Sequence, residues 1–216
     1  MATLTKLVLG MMGKLRPEPA KGSSADMIAL PPPDTHGGLP LMEALERRRS
    51  MREFAPDALP LALLSSLLWA AYGRNRSSGG RTAPSALDAQ EIDVVLALPS
   101  GAYRYDQAAN RLCLLAASDL RRVTGYQDFV DEAPLDLVYI ADHRRMGLVP
   151  VEHRERYAWF AAGAIAQNVY LFSASNGLAA VVRAWIDRVA IADALGLTHD
   201  QQVLVSQTVG YPKVSS

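Results

Sequence analysis

The sequence contains one cysteine, four histidines and no apolar run long enough to cross a lipid bilayer. The lone Cys113 excludes an internal disulfide bond and a metal cluster held by several thiolates. The histidines show no pairing at the spacing of metal ligands; they are His36, His143, His153 and His199. The sequence therefore predicts no zinc or iron site.

An excess of charge of either sign is also absent. The 22 Lys and Arg residues balance 22 Asp and Glu residues, whereas proteins that bind nucleic acids usually carry a basic face. The short apolar patch between Lys6 and Lys14 lacks the longer core and cleavage site of a secretory signal. These features favour a cytoplasmic protein, with a weak membrane-surface or partner helix at the N-terminus as the alternative.

Several catalytic signatures are missing. The chain has no Gly-x-Gly-x-x-Gly or Walker-type loop, no Gly-x-Ser-x-Gly elbow and no convincing Cys–His pairing. We therefore assign no side chain as a catalytic residue. Chemistry carried by a cofactor, which the protein binds and tunes, is the class that remains.

Proline and glycine are concentrated near the start of the chain. Residues 15–39 hold five prolines and three glycines, which predicts a segment unable to build its own core. A chain of 216 residues, half of them hydrophobic, is suited to one domain. We expect a flexible arm over residues 1–39 and a folded domain over residues 40–216.

Helices and strands intermix along the domain without strict βαβ repetition, which predicts an α+β fold. The first expected helix begins at Pro40, and further helices are expected over 60–72, 151–176 and 187–195. A short helix is also expected, capped at 118–119 and stopped by Gly125. The expected strands cover 92–97, 102–105, 111–115, 135–141, 178–182 and 202–209. The long helix at 151–176 is rich in small residues, which suits either a central core helix or a dimer seam.

Guanidinium groups are concentrated in the segment Arg48-Arg49-Ser50-Met51-Arg52, called here the arginine motif. Arginine presents a rigid fork of donors that matches phosphate oxygens, so the motif suits a phosphate dianion. The alternative is a solvated basic cluster that complements the C-terminus of the preceding helix.

A second segment, Pro84-Ser85-Ala86-Leu87-Asp88, is called here the proline loop. Pro84 has no N–H, and Ser85 and Ala86 are small, so this backbone can lie against a planar ligand. An ordinary turn is the alternative interpretation. Together the two segments predict a phosphorylated cofactor that is not held by a glycine-rich loop.

The order and spacing of these segments resemble the FMN-dependent nitroreductase family. The run from Trp69 to Gly73, followed by Gly79 to Ala86, is similar to the SagB-type branch, which includes thiazoline and oxazoline dehydrogenases. The ending Val209-Gly210-Tyr211-Pro212-Lys213 resembles the Gly-Tyr-Pro close of the family. The resemblance spans roughly residues 40–213. It implies a central mixed or antiparallel sheet flanked by helices, in an intertwined homodimer with a long central helix and FMN at the subunit interface.

The resemblance also implies roles for individual residues. The phosphate and ribityl chain of FMN would be held by Arg48, Ser50 and Arg52, with Arg49 adjacent and Lys213 as a contact from the chain end. The flavin ring would be lined from the other subunit by Pro84, Ser85 and Ala86, and its N5 and O4 atoms would lie near the backbone of Val182 and Arg183.

Asp88 departs from the family pattern, which has Asn at this position. The change replaces a hydrogen-bond donor to the flavin by an acceptor, and an ionised Asp88 near the ring would disfavour an anionic reduced flavin. A solvent-facing turn aspartate is the equally weighted alternative.

The implied activity is a two-electron oxidoreduction. NADH or NADPH would reduce FMN, and a nitroaromatic or quinone would then be reduced, in a ping-pong cycle. One alternative is an azoline-type dehydrogenase of peptide heterocycles, whose base would come from Tyr103, Tyr126 or Lys213. The other alternative is a dimer that binds or stores flavin without catalysis.

Overall fold

The computed structural model describes residues 3–213, in which proline precedes three of the helices and glycine follows the longest one. The helices are α1 (Thr3–Met11), α2 (Leu41–Arg47), α3 (Leu61–Tyr72), α4 (Val151–Ser175) and α5 (Arg188–Leu195). Prolines with φ of −51°, −56° and −52° precede α2, α3 and α4, because a proline ring is compatible with the start of a helix but not with its interior. Gly177, at φ +66°, follows α4 in the left-handed conformation predicted for it.

The strands form one large antiparallel sheet and one small pair. They are β1 (Glu18–Pro19), β2 (Met27–Ala29), β3 (Ile92–Leu98), β4 (Gly101–Asp106), β5 (Arg111–Ala116), β6 (Ser118–Asp119), β7 (Leu135–Asp142), β8 (Ala179–Arg183) and β9 (Gln201–Gly210). The large sheet has the order β2-β5-β4-β3-β7-β9-β8, and β1 pairs with β6. The predicted α+β class and the hairpin between β4 and β5 are confirmed.

The middle of the sheet is buried on both faces. Val94 and Leu96 of β3 join an apolar cluster with α3 and α4, whereas Val95 and Ala97 join a second cluster with α5. Since successive side chains of a strand point to opposite faces, a strand covered on both sides is nearly continuously apolar. β8 lies at one edge of this sheet, and the open side of β8 is where the arginine motif lies.

The N-terminal segment contacts the domain. Leu15 is fully buried in the second apolar cluster, and β2 extends the large sheet by pairing with β5. α1 contributes Lys6, whose fully buried ammonium group lies 2.7 Å from Asp131 Oδ1. The flexibility expected for residues 1–39, and a membrane or partner role for its helix, stay predictions.

The short helix expected after residues 118–119 is only partly correct. Ser118 and Asp119 form β6, and a single 3₁₀ turn follows at Arg121–Val123. Asp119 caps this turn, since its carboxylate accepts a hydrogen bond from the Arg121 N–H at 3.0 Å. The same carboxylate also pairs with the Arg121 guanidinium at 2.6 Å, a contact that local sequence patterns do not predict.

Within residues 3–213, no helix combines the length and apolarity needed to cross a membrane.

Candidate functional site

The arginine motif follows α2 directly and runs beside the edge strand β8. The Met51 N–H donates a hydrogen bond to the Ala180 carbonyl at 3.0 Å, which adds the motif to the open edge of the sheet. The next residues pair with the chain end, because the Lys213 N–H donates to the Glu53 carbonyl at 3.1 Å. The fold therefore brings Arg52 and Lys213, which are distant in sequence, to one surface.

This surface carries positive charge without a carboxylate partner. Among the residues that the structure describes, the exposed side chains of Arg49, Arg52 and Lys213 form no ion pair and no hydrogen bond. Arg47, just before the motif, is instead paired with Glu43 one helical turn earlier. The unpaired cations provide the donor set that a phosphate dianion needs, so the residues present fit a phosphorylated cofactor.

Tyr170 connects the arginine motif to β8. Its hydroxyl lies 2.9 Å from Ser50 Oγ and also accepts a hydrogen bond from the Val182 N–H at 2.9 Å. The Arg48 guanidinium stacks over the Tyr170 ring, 5.3 Å from its centroid. Tyr170 is a buried residue of α4 that our sequence reasoning did not select. The sequence signal that could have identified it is a tyrosine in a helix rich in small residues. A buried tyrosine hydroxyl usually has a hydrogen-bond partner, so such a residue is expected to make a specific contact.

A cavity of about 220 Å³ lies beside Tyr170 and Val182. Gly163 and Ala166 of α4 line this cavity, and the space stays open because glycine has no side chain and alanine has only a methyl group. Trp159 and Val205 complete much of its apolar wall. An apolar cavity next to a free sheet edge is suited to a planar ring with polar atoms along one side.

Arg183 does not direct its side chain to this cavity. The guanidinium is buried, lies 2.8 Å from Asp136 Oδ1 and donates to Ser206 Oγ at 2.9 Å and Thr208 Oγ1 at 2.6 Å. The Arg183 side chain therefore forms an ion pair in the core, and only the backbone of Arg183 could have the role that was expected near the ring.

The proline loop has an unusual backbone. Leu87, Asp88 and Gln90 have φ of 52°, 53° and 51°, a left-handed conformation that is rare for residues other than glycine and asparagine. Gln90 holds the loop, since its N–H donates to Ser85 Oγ at 3.0 Å and its amide donates to Asp88 Oδ1 at 3.1 Å. Strained loops of this kind are found at ligand sites, although Asp88 itself is exposed in this chain.

Buried polar groups lie behind the proline loop. Burial raises the pKa of the Glu91 carboxyl, and neither carboxyl oxygen has a hydrogen-bond partner among the described residues. Burial lowers the pKa of Arg81, whose guanidinium stacks 5.6 Å from the centre of the Tyr72 ring. Arg81 Nε also donates to Gln90 Oε1 at 2.9 Å, which ties this cluster to the loop. Sequence patterns gave no signal for Glu91 or Gln90.

The two predicted motifs do not meet in one chain. The proline loop precedes β3, whereas the arginine motif lies beside β8, and β7 and β9 separate these strands in the sheet. Over residues 3–213, no hydrogen bond, ion pair or ring contact joins the two motifs.

Comparisons with known proteins identify the family and agree with the fold. The model described as the Nitroreductase family matches residues 45–211. A Methanocaldococcus jannaschii protein named "Putative nitroreductase MJ1384" is 31% identical over 151 residues, 65% of this chain and 76% of that protein. A crystal structure named "putative nitroreductase", from Ralstonia eutropha JMP134, is 51% identical with a TM-score of 0.89, over 93% of this chain and 96% of that chain. A chain of the E. coli microcin synthetase complex McbBCD, with truncated pro-MccB17 bound, shares the fold at a TM-score of 0.67 and 19% identity, over 85% of this chain and 77% of that chain.

Proposed function

Because this chain belongs to the nitroreductase family and is therefore an oxidoreductase, we propose that it works as a homodimer that binds FMN. FMN, when bound, would supply hydride chemistry between NADH or NADPH and an electron-poor acceptor such as a nitroaromatic or a quinone. The observation that carries the proposal is the unpaired cationic surface of Arg49, Arg52 and Lys213 beside an apolar cavity.

The arginine motif and Lys213 would hold the phosphate. The charged groups of Arg49, Arg52 and Lys213 are exposed and unpaired, so an anion can bind to them without breaking an existing ion pair. Arg48 is placed differently, since stacking on Tyr170 fixes its guanidinium at the inner end of the motif. Arg48 and Ser50 are therefore the members of the motif nearest to the ribityl chain in this proposal.

The outer edge of β8 would face the ring near Val182 and Arg183, which lie on the edge strand of the sheet. The Val182 N–H is already bonded to the Tyr170 hydroxyl, so the other outward backbone groups of this part of β8 would pair with the polar side of a flavin. Pro84, Ser85 and Ala86 would come from the other subunit and cover the ring, with Asp88 close to it. The protein would thus stack and orient FMN, with little acid–base chemistry of its own.

Exposed apolar side chains support the dimer. Phe160 of α4 is 70% exposed and Met42 of α2 is 75% exposed, although both helices also pack into the core. Leu87 of the proline loop is 69% exposed. Apolar surface of this extent on neighbouring elements is typical of an interface between subunits.

The azoline-type dehydrogenase is the second candidate, and the fold shared with the microcin synthetase complex favours it. That reaction needs a positioned base. Tyr103 is fully buried and so out of reach of a bound peptide, and burial raises the pKa of Tyr126, which makes its phenol poorly suited to give up its proton and act as a base. Lys213 remains exposed at the chain end. Two of the three candidate bases, Tyr103 and Tyr126, are thus poorly suited, which favours the NAD(P)H-driven reaction. The cytoplasmic location stays a prediction from composition.

An absorbance spectrum of the purified protein, followed without oxygen as NADH and then NADPH are added, tests the proposal. We expect a yellow protein that bleaches and recovers its colour with a nitroaromatic or a quinone. A yellow protein that resists both nicotinamides would favour the azoline or storage alternatives. A colourless protein that cannot be reconstituted with FMN would overturn the flavin assignment.

A further inference from the structure

We infer that Tyr170 is a positioning residue that turns Ser50 into a hydrogen-bond donor toward the ribityl phosphate arm of FMN. The inference rests on the proposed function and assigns a role to a residue outside both motifs. Tyr170 is 7% exposed and lies on α4, yet its hydroxyl is within 2.9 Å of Ser50 Oγ and of the Val182 nitrogen.

The direction of these hydrogen bonds follows from the inventory of protons. The Val182 N–H can only donate, so Tyr170 Oη accepts at that contact. The Tyr170 hydroxyl has one proton of its own, and Ser50 Oγ is its other hydrogen-bond partner among residues 3–213. A buried hydroxyl proton without an acceptor is costly, so Tyr170 donates to Ser50.

This direction leaves the proton of Ser50 free. Ser50 is exposed beside the unpaired Arg49 and Arg52, so its hydroxyl can donate outward to an anionic ligand. A serine that already accepts a hydrogen bond is also a better donor, because chains of hydrogen bonds polarise one another. Tyr170 therefore selects the donating state of Ser50 instead of merely filling space.

Tyr170 also fixes the geometry between the motif and the sheet. The centroid of its ring lies 5.3 Å from the Arg48 guanidinium. Its hydroxyl accepts a hydrogen bond from the outward N–H of Val182 on the edge strand. One side chain thus sets the distance between the phosphate-binding motif and the part of β8 expected beside the ring. A ligand with an arm and a ring of fixed separation would be selected by this spacing.

A double-mutant cycle on the full-length protein tests the inference. FMN dissociation constants are measured by fluorescence for the wild type, Tyr170→Phe, Ser50→Ala and the double variant. We expect each single substitution to weaken FMN binding about 10-fold, the scale of one hydrogen bond to a charged group. The double variant should also be weakened about 10-fold, not about 100-fold, because Tyr170 acts on the ligand through the Ser50 hydroxyl and has no such effect once that hydroxyl is gone.

Tyr105→Phe is the matched control. Tyr105 is buried and its hydroxyl donates to Asn110 Oδ1 at 3.3 Å, on a strand separated from β8 by β3, β7 and β9. This variant should lose some thermal stability while its affinity for FMN stays within twofold of the wild type. Ser50 is exposed, so Ser50→Ala folds and reports on the site even if Tyr170→Phe proves unstable.

The outcomes distinguish a failure of FMN binding from a failure of the role assigned to Tyr170. A wild type that binds no FMN would overturn the proposed function and this inference with it. A wild type that binds FMN, with Tyr170→Phe unchanged in affinity or with losses that multiply in the double variant, would overturn the role of Tyr170 alone. Coupled losses would support it.

Discussion

At the scale of single residues, the arginines of this chain divide into paired and unpaired groups. Arg47 is bound to Glu43 across one helical turn, whereas Arg52 has no partner among the described residues. An exposed ion pair on a helix contributes little to stability, and an unpaired exposed guanidinium contributes even less. The side chain of Arg52 is therefore available for a ligand, whereas that of Arg47 is already engaged.

Replacing Arg52 with alanine tests this distinction. We expect Arg52→Ala to weaken FMN binding about 10- to 100-fold, since it removes a charge-assisted contact to phosphate. Thermal stability should be unchanged, because the side chain is exposed. Fluorescence titration with FMN measures the loss, and Arg47→Ala is the control. Equal affinities for the two variants would remove Arg52 from the site.

Arg183 gives the opposite case, because its guanidinium stabilises the core. Asp136 is fully buried, and Arg183 is the cation that lies 2.8 Å from it. Arg183→Met should lower the free energy of unfolding by about 3–5 kcal/mol, since it leaves the buried carboxylate without its charge partner. Urea denaturation measures this change. The additional change Asp136→Asn should restore part of the stability, and a failure to do so would contradict the ion-pair explanation.

At the scale of elements, local chemistry predicted most of the domain. Proline before α2, α3 and α4 and a left-handed glycine after α4 fix helix ends through the backbone alone. Buried strands such as β3 are visible as apolar runs. β1, β2 and β6 have only two or three residues, too few for periodicity to show, and depend on pairing with distant partners. The packing of the N-terminal segment was missed for this reason.

The docking of α1 depends on one close approach. A Cβ atom added to Gly10 would lie 2.5 Å from Cε1 of Tyr126, so a side chain at this position forces the helix away. We expect Gly10→Leu to release α1 and to expose the chain at Lys6, which is buried in the wild type, to trypsin. Cleavage over time, followed by mass spectrometry, should be faster than in the wild type. Gly147→Ala is the control, since open space surrounds that position. Equal cleavage rates would show that α1 is not held by this contact.

At the scale of the whole molecule, the arginine motif and the proline loop lie on two separate surfaces of one chain. The sequence predicted which residue types would bind a phosphate and a ring, because motifs are local. It did not predict Tyr170 or Gln90, whose roles depend on contacts between segments far apart in sequence. The separation of the arginine motif from the proline loop also appears only in three dimensions. In the proposed dimer these two surfaces would meet, and the exposed apolar side chains would be covered at the same time.

Phe160 lies at the centre of the expected interface, on the exposed face of α4 that also carries Gly163 and Gln167. Phe160→Glu should yield a folded monomer, because the side chain is 70% exposed and a buried charge disfavours an apolar interface. Sedimentation equilibrium gives the mass. The monomer should bind FMN far more weakly, because the proline loop of a partner is missing. Val189→Glu changes an equally exposed residue of α5 and should remain dimeric. A dimeric Phe160→Glu would exclude this face as the interface, and a monomer that binds FMN as tightly as the wild type would place the whole site within one chain.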